Sequence, residues 1–397
     1  DVLGSRGLGD VYKRQEYRLG DIATIKGGKR LPKGVNLIKA PNNHPYIRVQ
    51  DLGHEKTLEL NSSYAYVDDE TQKFISKYIV NTGDIIMSIV GTIGLIGIVG
   101  NTLNNANLTE NCVKVVNVSN IEKEYLYYFL ISTYGQSEIS KGIVGAVQLK
   151  LPIKNIQNIS IKAPNLIIQK KISNILQSLD EKIELNCRIN ENLEQQAQAL
   201  FKSWFVDGTN IELNYHELGN ITSITAGGDK PSIYSKELTE KYYTPIYSNG
   251  IENEGLYGYT DFAKINSSSI TISARGTIGY ICLRTKPYVP IVRLISVIPK
   301  KEELSAEYLY LWALRQNFSA TGTTQQQLTV PNLKKISIGI PAKEILKKFN
   351  NIVIPIFQSI EKNKDENKNL AQLRDTLLPK LMSGELKLSE IKTKLYE

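Results

Sequence analysis

The sequence predicts an α+β protein in which two tandem β-rich modules, each with short helices, are joined by two long helices that form an antiparallel coiled coil. Three observations predict this fold. The chain repeats itself over roughly half its length. Each copy begins with short β-type runs, and each ends with about 40 residues of heptad periodicity. A chain of 397 residues is long enough for two or three separate cores.

The repeat consists of short segments that return in the same order while the intervals between them change. The paired segments are Tyr17–Ile25 and Glu217–Ile224, Gly27–Gly28 and Gly227–Gly228, Ser88–Gly94 and Ser273–Gly279, Tyr125–Leu130 and Tyr308–Leu314, Gln148–Pro152 and Gln327–Pro331, and Ile159–Ile161 and Ile336–Ile338. A preserved order with variable intervals indicates one duplicated module, whose framework was kept while its loops diverged.

The repeat also divides the chain into domains. Within each module, β-type runs at 84–90 and 269–273 lead into Gly-Thr pairs typical of hairpins, and short amphipathic helices are expected at 121–133 and 306–316. The expected domains are a non-native or disordered leader at 1–15, a first module at 16–164, a long helix at 165–206, a second module at 207–342, a second long helix at 343–384 and a tail at 385–397.

The long helices carry the strongest periodic signal, because apolar residues recur every seven positions in each of them. We expect the following residues to form the interface of a helix pair: Ile172, Leu179, Asn186, Leu193 and Leu200 in the first helix, and Phe349, Ile356, Asn363, Leu370 and Leu377 in the second. Asn186 and Asn363 occupy equivalent positions, where a buried polar residue can fix register. Alternatively, each helix covers only its own module.

Composition excludes several classes of protein. Hydrophobic residues make up 41% and charged residues 22% of the chain, as in globular proteins. The apolar stretch 85–99 is too short and too rich in glycine to span a bilayer. Three scattered cysteines without a CxxC or Cys/His cluster argue against structural zinc and favour a reducing cytoplasm. The net charge of +8 permits a polyanionic partner without requiring one.

Two segments give the sequence a family resemblance. Leu193–Asp207 (LEQQAQALFKSWFVD) and Leu377–Leu386 (LLPKLMSGEL) resemble the ends of the two conserved helices in the specificity subunits of type I restriction-modification enzymes. The resemblance covers about residues 16–390 and includes Pro164–Gln169 at the entry to the first helix. It departs at 341–346, which lacks a counterpart of Gln169, and at Pro379, which should kink or end the second helix.

The resemblance implies that the two modules are target recognition domains, each reading one half of a split, asymmetric DNA site. It implies that the helix pair fixes the length of the unread spacer between the half-sites. The implied partners are double-stranded DNA, two methyltransferase subunits and motor-nuclease restriction subunits. N6-adenine methylation or cleavage would then be performed by those partners, which would carry S-adenosylmethionine, ATP and Mg²⁺, and this chain would bind no cofactor.

The residues themselves also predict a chain without catalytic activity. A DNA-adenine methyltransferase needs an Asn/Asp-Pro-Pro-aromatic loop, and a motor needs GxxxxGK(S/T); the sequence contains neither. No cluster of acidic metal ligands typical of a nuclease stands out. Two alternatives stay open: a methyltransferase, either free-standing or fused to its reader, and an interaction scaffold in which the two modules bind protein through the helix pair.

Candidate DNA-binding residues follow from the chemistry of base recognition, in which Arg favours guanine, Asn and Gln favour adenine, and Lys and Arg bind phosphates. The candidates are Lys29, Arg30, Lys33, Arg48, Gln50 and Gln148 in the first module, and Lys230, Asn249, Arg275 and Gln327 in the second. Arg275 replaces Val90 in the shared frame, whereas Gln148 and Gln327 are interpreted as equivalent. The alternatives are that the cations are merely solvated, and that Arg48 and Gln50 satisfy a sheet edge. Trp204 and Phe205 are expected to be buried against the second helix.

Overall fold

The computed structural model describes residues 14–53, 55–207, 211–300, 304–318 and 327–386. The chain forms two compact units. Unit 1 comprises Asp1–Leu185 and Glu366–Glu397, and unit 2 comprises Asn186–Asp365. Each long helix therefore contributes one half to each unit. The predicted α+β fold with two β-rich modules and two contacting long helices is confirmed.

In its described residues, unit 1 contains ten strands and six α-helices that begin in it. It also contains the C-terminal part of a helix that begins in unit 2. These elements are β1 (Gln15–Arg18), α1 (Leu19–Ile22), β2 (Thr24–Gly27), β3 (Pro45–Ile47), β4 (Thr57–Leu58), β5 (Ala65–Tyr66), α2 (Asp69–Ile75), β6 (Ile85–Ser88), β7 (Ile96–Val99), β8 (Asn107–Leu108), β9 (Cys112–Val116), α3 (Lys123–Ile131), α4 (Thr133–Lys141), α5 (Ile153–Gln157), β10 (Ser160–Ala163) and α6 (Leu166–Phe205). The strands form sheets of order β2-β9-β6-β7-β4, β5-β3-β8 and β1-β10.

Unit 2 repeats this arrangement with fewer elements. They are β11 (Leu213–Glu217), α7 (Leu218–Ile221), β12 (Thr222–Ala226), β13 (Thr244–Tyr247), β14 (Leu256–Thr260), β15 (Ser269–Ile272), β16 (Ile281–Arg284), β17 (Val289–Pro290), β18 (Ile295–Pro299), α8 (Ala306–Ala313), α9 (Val330–Lys334), β19 (Ser337–Pro341) and α10 (Lys343–Ser383). The sheets have the orders β12-β18-β15-β16, β14-β13-β17 and β11-β19. We call the part from β1 to β10 the first head, and the part from β11 to β19 the second head.

Each head is closed by antiparallel pairing of its first and last strands, β1 with β10 and β11 with β19. This closure begins earlier in the chain than expected, because Gln15 pairs with Ala163. The guanidinium of Arg14 also donates to the carbonyl oxygens of Lys162 and Leu381, each at 3.1 Å. Arg14 and Gln15 thus belong to the folded first head, although the sequence assigned them to a leader; residues 1–13 lie outside the described part. The other domain boundaries stay predictions.

Each head packs its main sheet and short helices on one half of each long helix. In unit 1 the core includes Tyr125 and Tyr128 of α3, together with Ile172 of α6 and Leu381 of α10. The core of unit 2 is rich in aromatic rings. Phe205 lies 4.9 Å from Phe349 between ring centroids, and Trp204 lies 5.7 Å from the same ring. Trp204 and Phe205 therefore pack against the second long helix, as the sequence predicted.

The long helices are antiparallel within each unit, since early residues of α6 meet late residues of α10. In unit 1 the Asp180 carboxylate pairs with the Arg374 guanidinium at 2.7 Å. In unit 2 the amide of Asn363 donates to Oδ1 of Asn190 at 2.8 Å. Asn363 therefore pairs with Asn190, and Asn186, which the sequence placed at the equivalent position, is buried nearby.

The ten predicted interface residues are all at least partly buried. Ile172, Asn186 and Phe349 are buried, and Leu179, Leu193, Leu200, Ile356, Asn363, Leu370 and Leu377 are half-buried. The expectation was that Pro379 kinks or ends the second helix; the helix does not end there, because it continues through Pro379 to Ser383. In the described ranges, no helix has the length and apolar character needed to cross a membrane.

Candidate nucleic-acid interface

The two heads share a backbone framework whose hydrogen bonds identify equivalent residues. In the first head the N–H of Gly28 donates to the carbonyl of Cys112 at 3.0 Å, and in the second the N–H of Gly227 donates to the carbonyl of Leu294 at 2.9 Å. Gly28 is therefore equivalent to Gly227. The pairing of Gly27–Gly28 with Gly227–Gly228 predicted from the sequence is off by one residue.

Both equivalent glycines are required because another backbone segment passes close by. A Cβ atom on Gly28 would lie 2.0 Å from the carbonyl oxygen of Thr109. A Cβ atom on Gly227 would lie 2.7 Å from the backbone nitrogen of Ile291. These close approaches place the loop after β2 or β12 against the loop before β9 or β18, and both loops carry candidate residues.

A second shared feature is the turn Ser88–Gly94 and its counterpart Ser273–Gly279. In both turns the N–H of the closing glycine donates to the carbonyl of the opening serine, at 3.0 Å and 2.9 Å. Because the hydrogen bonding and spacing are the same, Val90 and Arg275 occupy the same framework position. The sequence-based pairing of these two residues agrees with the structure.

The segment that leaves each head fixes a third equivalence. Leu151 donates its N–H to the Ser88–Gly94 turn at 2.9 Å, and Leu328 donates to the Ser273–Gly279 turn at 3.1 Å. The residues before them, Lys150 and Gln327, are therefore equivalent. The prediction that Gln148 is the counterpart of Gln327 is wrong, because the loops leading into the two segments differ in length. Gln148 is exposed two residues earlier.

In the second head, several candidates line one concavity of about 520 Å³. Its lining is formed by Gly227, Gly228, Asp229, Lys230, Tyr257, Arg275, Ile291, Val292 and Arg293. Three cationic side chains and one carboxylate thus surround a space open to solvent. Such a site favours a polyanion whose phosphates approach the cations.

Gln327 orients Arg275 within this concavity. Oε1 of Gln327 accepts hydrogen bonds from Nε of Arg275 at 3.3 Å and from Nη2 at 3.1 Å. Both side chains are half-buried. The guanidinium is therefore held by a neutral partner that leaves its charge uncompensated.

Arg293 is a cation of this site that the sequence did not reveal. It follows Val292, and the φ angle is 52° at Val292 and 62° at Arg293. Left-handed backbone at a β-branched valine is strained, and such strain concentrates at functional sites. The N–H of Val292 donates to the carbonyl of Gly228 at 2.8 Å, and the N–H of Arg293 donates to the carbonyl of Gly227 at 2.9 Å. These hydrogen bonds hold the loop, and the Arg293 side chain is exposed. No residue pattern marks left-handed backbone at Val-Arg.

Asn249 supports this loop rather than facing the concavity as a free amide. Its Nδ2 donates to the carbonyl of Val292 at 2.6 Å, and its Oδ1 accepts from the N–H of Ala274 at 2.8 Å.

Lys230, by contrast, is exposed, with Nζ 4.9 Å from the centre of the Tyr234 ring. A hydrogen bond to Tyr234 raises the pKa of Lys230 above its ordinary value, so it stays cationic.

The candidates of the first head divide into exposed residues and one that is structural. Lys29, Lys33 and Gln50 are exposed, and the guanidinium of Arg30 is 82% exposed although it pairs with Glu110 at 2.8 Å. Arg48 instead pairs with the Asp51 carboxylate at 2.8 Å and donates to the carbonyl of Ser63 at 2.8 Å.

Arg48 therefore fixes the turn after β3, because its charge is neutralised by a carboxylate that is only 1% exposed.

Within the part of the chain that the structure describes, no group of three or more His, Cys, Asp and Glu side chains is placed to hold a metal ion. The candidate interface thus consists of cations, amides and backbone loops.

The fold thus consists of two β-rich heads of similar framework, each packed on one half of each long helix. The chain belongs to the family described as the type I restriction modification DNA specificity domain, whose family model matches residues 13–195 and 210–372. The resemblance inferred from the two helix-end segments is confirmed.

Named relatives have the same general length. The specificity subunit of the type I restriction enzyme HindI from Haemophilus influenzae is 27% identical, over 94% of this chain and 99% of the relative. The specificity subunit of the enzyme MjaIX from Methanocaldococcus jannaschii is 26% identical, over 87% of this chain and 88% of the relative. The crystal structure of the S subunit of a Mycoplasma genitalium type I restriction-modification system has the same fold, with a TM-score of 0.57, 18% identity and coverage of 93% and 96%.

Proposed function

We propose that this chain is the specificity subunit of a type I restriction-modification complex, and that each head reads one half of a split, asymmetric DNA site. One observation carries the proposal: the same backbone framework presents different side chains at equivalent positions. Val90 and Lys150 stand in the first head where Arg275 and Gln327 stand in the second. Different side chains on one framework produce two different sequence preferences.

The exposed cations supply the part of binding that does not depend on sequence. Lys29 and Lys33 of the first head, with Lys230 and Arg293 of the second, are positioned to neutralise phosphates, and Arg30 would do so on leaving Glu110. Each phosphate contact releases counterions, so binding weakens as salt rises. Arg48 and Asn249 contribute by holding their loops, because their polar atoms already have protein partners.

The proposal assigns the chemistry to partner subunits in the cytoplasm. Two methyltransferase subunits would bind S-adenosylmethionine and methylate adenine at N6, and restriction subunits would use ATP and Mg²⁺ for translocation and cleavage. This chain would bind no cofactor and would position those subunits on the DNA. The absence of methyltransferase, motor and nuclease motifs from its sequence supports this division of labour.

The test is co-expression with a cognate or closely related methyltransferase subunit, followed by genome-wide mapping of N6-methyladenine. We expect one split, asymmetric motif that appears only when this chain is present. A stable complex with an active methyltransferase and no new motif would contradict the proposal and favour a scaffold that binds protein. An S-adenosylmethionine-binding assay on the isolated chain tests the enzyme alternative, and we expect no binding.

A further inference from the structure

We propose that Arg275 reads a guanine in the half-site of the second head, and that Gln327 is the positioning residue that aims it. This inference rests on the proposed function and adds the base, the half-site and the side chain that recognises it. The recognised group is the major-groove edge of guanine, whose O6 and N7 are both acceptors.

The first argument is the number of donors that Arg275 keeps free. A guanidinium has five N–H donors in a planar fork. Gln327 takes one from Nε and one from Nη2 through the same oxygen, at 3.3 and 3.1 Å. Three donors are left, and the one on Nη2 and one of the two on Nη1 are parallel, with the spacing that O6 and N7 of guanine require. Adenine offers a donor where guanine has O6, so the same geometry rejects it.

The second argument is that the hydrogen-bond partner of Arg275 is an uncharged amide. Across the described ranges, none of the ion pairs involves Arg275, in contrast to Arg48 of the first head, which is neutralised by Asp51. An arginine held by an amide keeps its full charge for a ligand, whereas one held by a carboxylate does not. The half-burial of Arg275 restricts its side chain, which lowers the entropic cost of fixing it on a base.

The third argument is the position of Arg275 among the other cations. Lys230 and Arg293 line the same concavity of about 520 Å³ and are more exposed than Arg275. Exposed cations around a partly buried arginine suit a duplex whose phosphates meet the rim while a base edge enters the centre. In the first head the same framework position holds Val90, which cannot accept or donate, so this guanine contact belongs to the second head alone.

The experiment compares Arg275→Ala, Arg275→Lys and Gln327→Ala in the complex with the methyltransferase subunits. Motif mapping is combined with competition binding to duplexes that differ at one base pair. For the wild type we expect roughly ten- to a hundredfold preference for one guanine of one half-site. Arg275→Ala should reduce that ratio to about one and leave the other half-site unchanged. Arg275→Lys should also lose it, because an ammonium cannot pair with two acceptors in a plane, and Gln327→Ala should reduce it in part.

Arg315→Ala is the matched control, because Arg315 is an exposed arginine of unit 2 outside the concavity; both half-sites should be unchanged. If Arg275→Ala weakens binding to all sequences equally and leaves the motif intact, Arg275 contacts phosphate and the inference is wrong. A change at an A·T position would also overturn it, while the proposed function would stand. If the wild-type complex yields no motif at all, the proposed function fails and this inference fails with it.

Discussion

At the scale of single residues, the framework of each head depends on a glycine whose neighbour in the Gly-Gly pair is dispensable. A Cβ atom added to Gly28 would lie 2.0 Å from the carbonyl oxygen of Thr109. A Cβ atom added to Gly27 would have no neighbour closer than a flexible methyl group of Ile153 at 3.7 Å. In the second head the first glycine of the pair is the restricted one, because a Cβ atom on Gly227 would lie 2.7 Å from the backbone nitrogen of Ile291. A Cβ atom on Gly228 would approach only the amine of Lys264, at 3.6 Å.

We predict that Gly28→Ala destabilises the protein by about 2 kcal/mol, because two backbone segments must separate to admit the methyl group. Gly27→Ala is the matched control and should change the free energy of unfolding by less than about 1 kcal/mol. Chemical denaturation of both variants measures the difference. Equal effects of the two substitutions would show that the close approach at Gly28 does not constrain the head.

A pH-dependent prediction concerns Glu307 in the first turn of α8. Its carboxyl is buried, and burial raises its pKa above the ordinary value because the charged form is poorly solvated there. A raised folded pKa means that stability is lost as the pH rises through it. Relative to Glu307→Gln, the wild type should therefore gain stability as the pH falls from neutral toward 4.5, and the gain should level off below that value. Denaturation of both proteins across this range tests it; a constant difference would contradict the prediction.

Part of the site could not be predicted at this scale because the partners of its residues lie far away in the sequence. The amide of Asn249 is used by Val292 and Ala274, which are 43 and 25 positions away. The equivalence of Gln327 with Lys150 was missed because the match of Gln148–Pro152 with Gln327–Pro331 is displaced by two residues from the one that the hydrogen bonds of Leu151 and Leu328 define. Arg275 could be singled out because its turn is repeated almost residue for residue in the first head.

At the scale of elements, the helix pair is held by the same asparagine contact in each unit. Nδ2 of Asn190 donates to the carbonyl of Ile360 in unit 2, and Nδ2 of Asn367 donates to the carbonyl of Ile183 in unit 1, both at 3.4 Å. The ends of the two long helices lie within one residue of the ends of the periodic segments, because heptad periodicity is local. The pairing of Asn363 with Asn190 was not, because it depends on the antiparallel register between two segments far apart in the sequence.

We predict that Asn363→Leu destabilises the helix pair by about 1–2 kcal/mol, because Oδ1 of Asn190 loses its donor. The double substitution Asn190→Leu and Asn363→Leu should recover most of that loss, since no polar group is then left unpaired. Urea denaturation of the single and double variants measures the coupling. Lys368→Ala, on an exposed position of α10, is the control and should have little effect. Additive effects of the two leucines would contradict the prediction.

At the scale of the whole molecule, each long helix passes from one unit to the other, at 185–186 in α6 and at 365–366 in α10. The two heads are connected through these helices. The family resemblance implies that the helices set the length of the unread spacer, and the proposed function assigns each half-site to one head.

We predict that inserting four residues at both passages lengthens the spacer and leaves the two half-sites unchanged. Four residues are about one helical turn and extend each helix by about 6 Å, which corresponds to roughly two base pairs. Mapping of N6-methyladenine in cells that express the variant with its methyltransferase subunit measures the spacer. An insertion into one helix alone should disrupt pairing and abolish methylation. A change in either half-site would contradict the separation of reading from spacing.

The division of the chain also sets the order in which the units can be completed during synthesis. Unit 2 is a continuous segment, whereas unit 1 needs Leu378 and Leu381 of α10 to cover Ile172 and Leu176 of α6. A ribosome that adds roughly 5–20 residues per second takes roughly 10–40 s to make the 180 residues of unit 2 that separate these partners. During that interval the part of the α6 apolar face that α10 covers in the finished protein is exposed. The half of the protein that begins first therefore finishes last, and its exposed face is where a chaperone would bind the nascent chain.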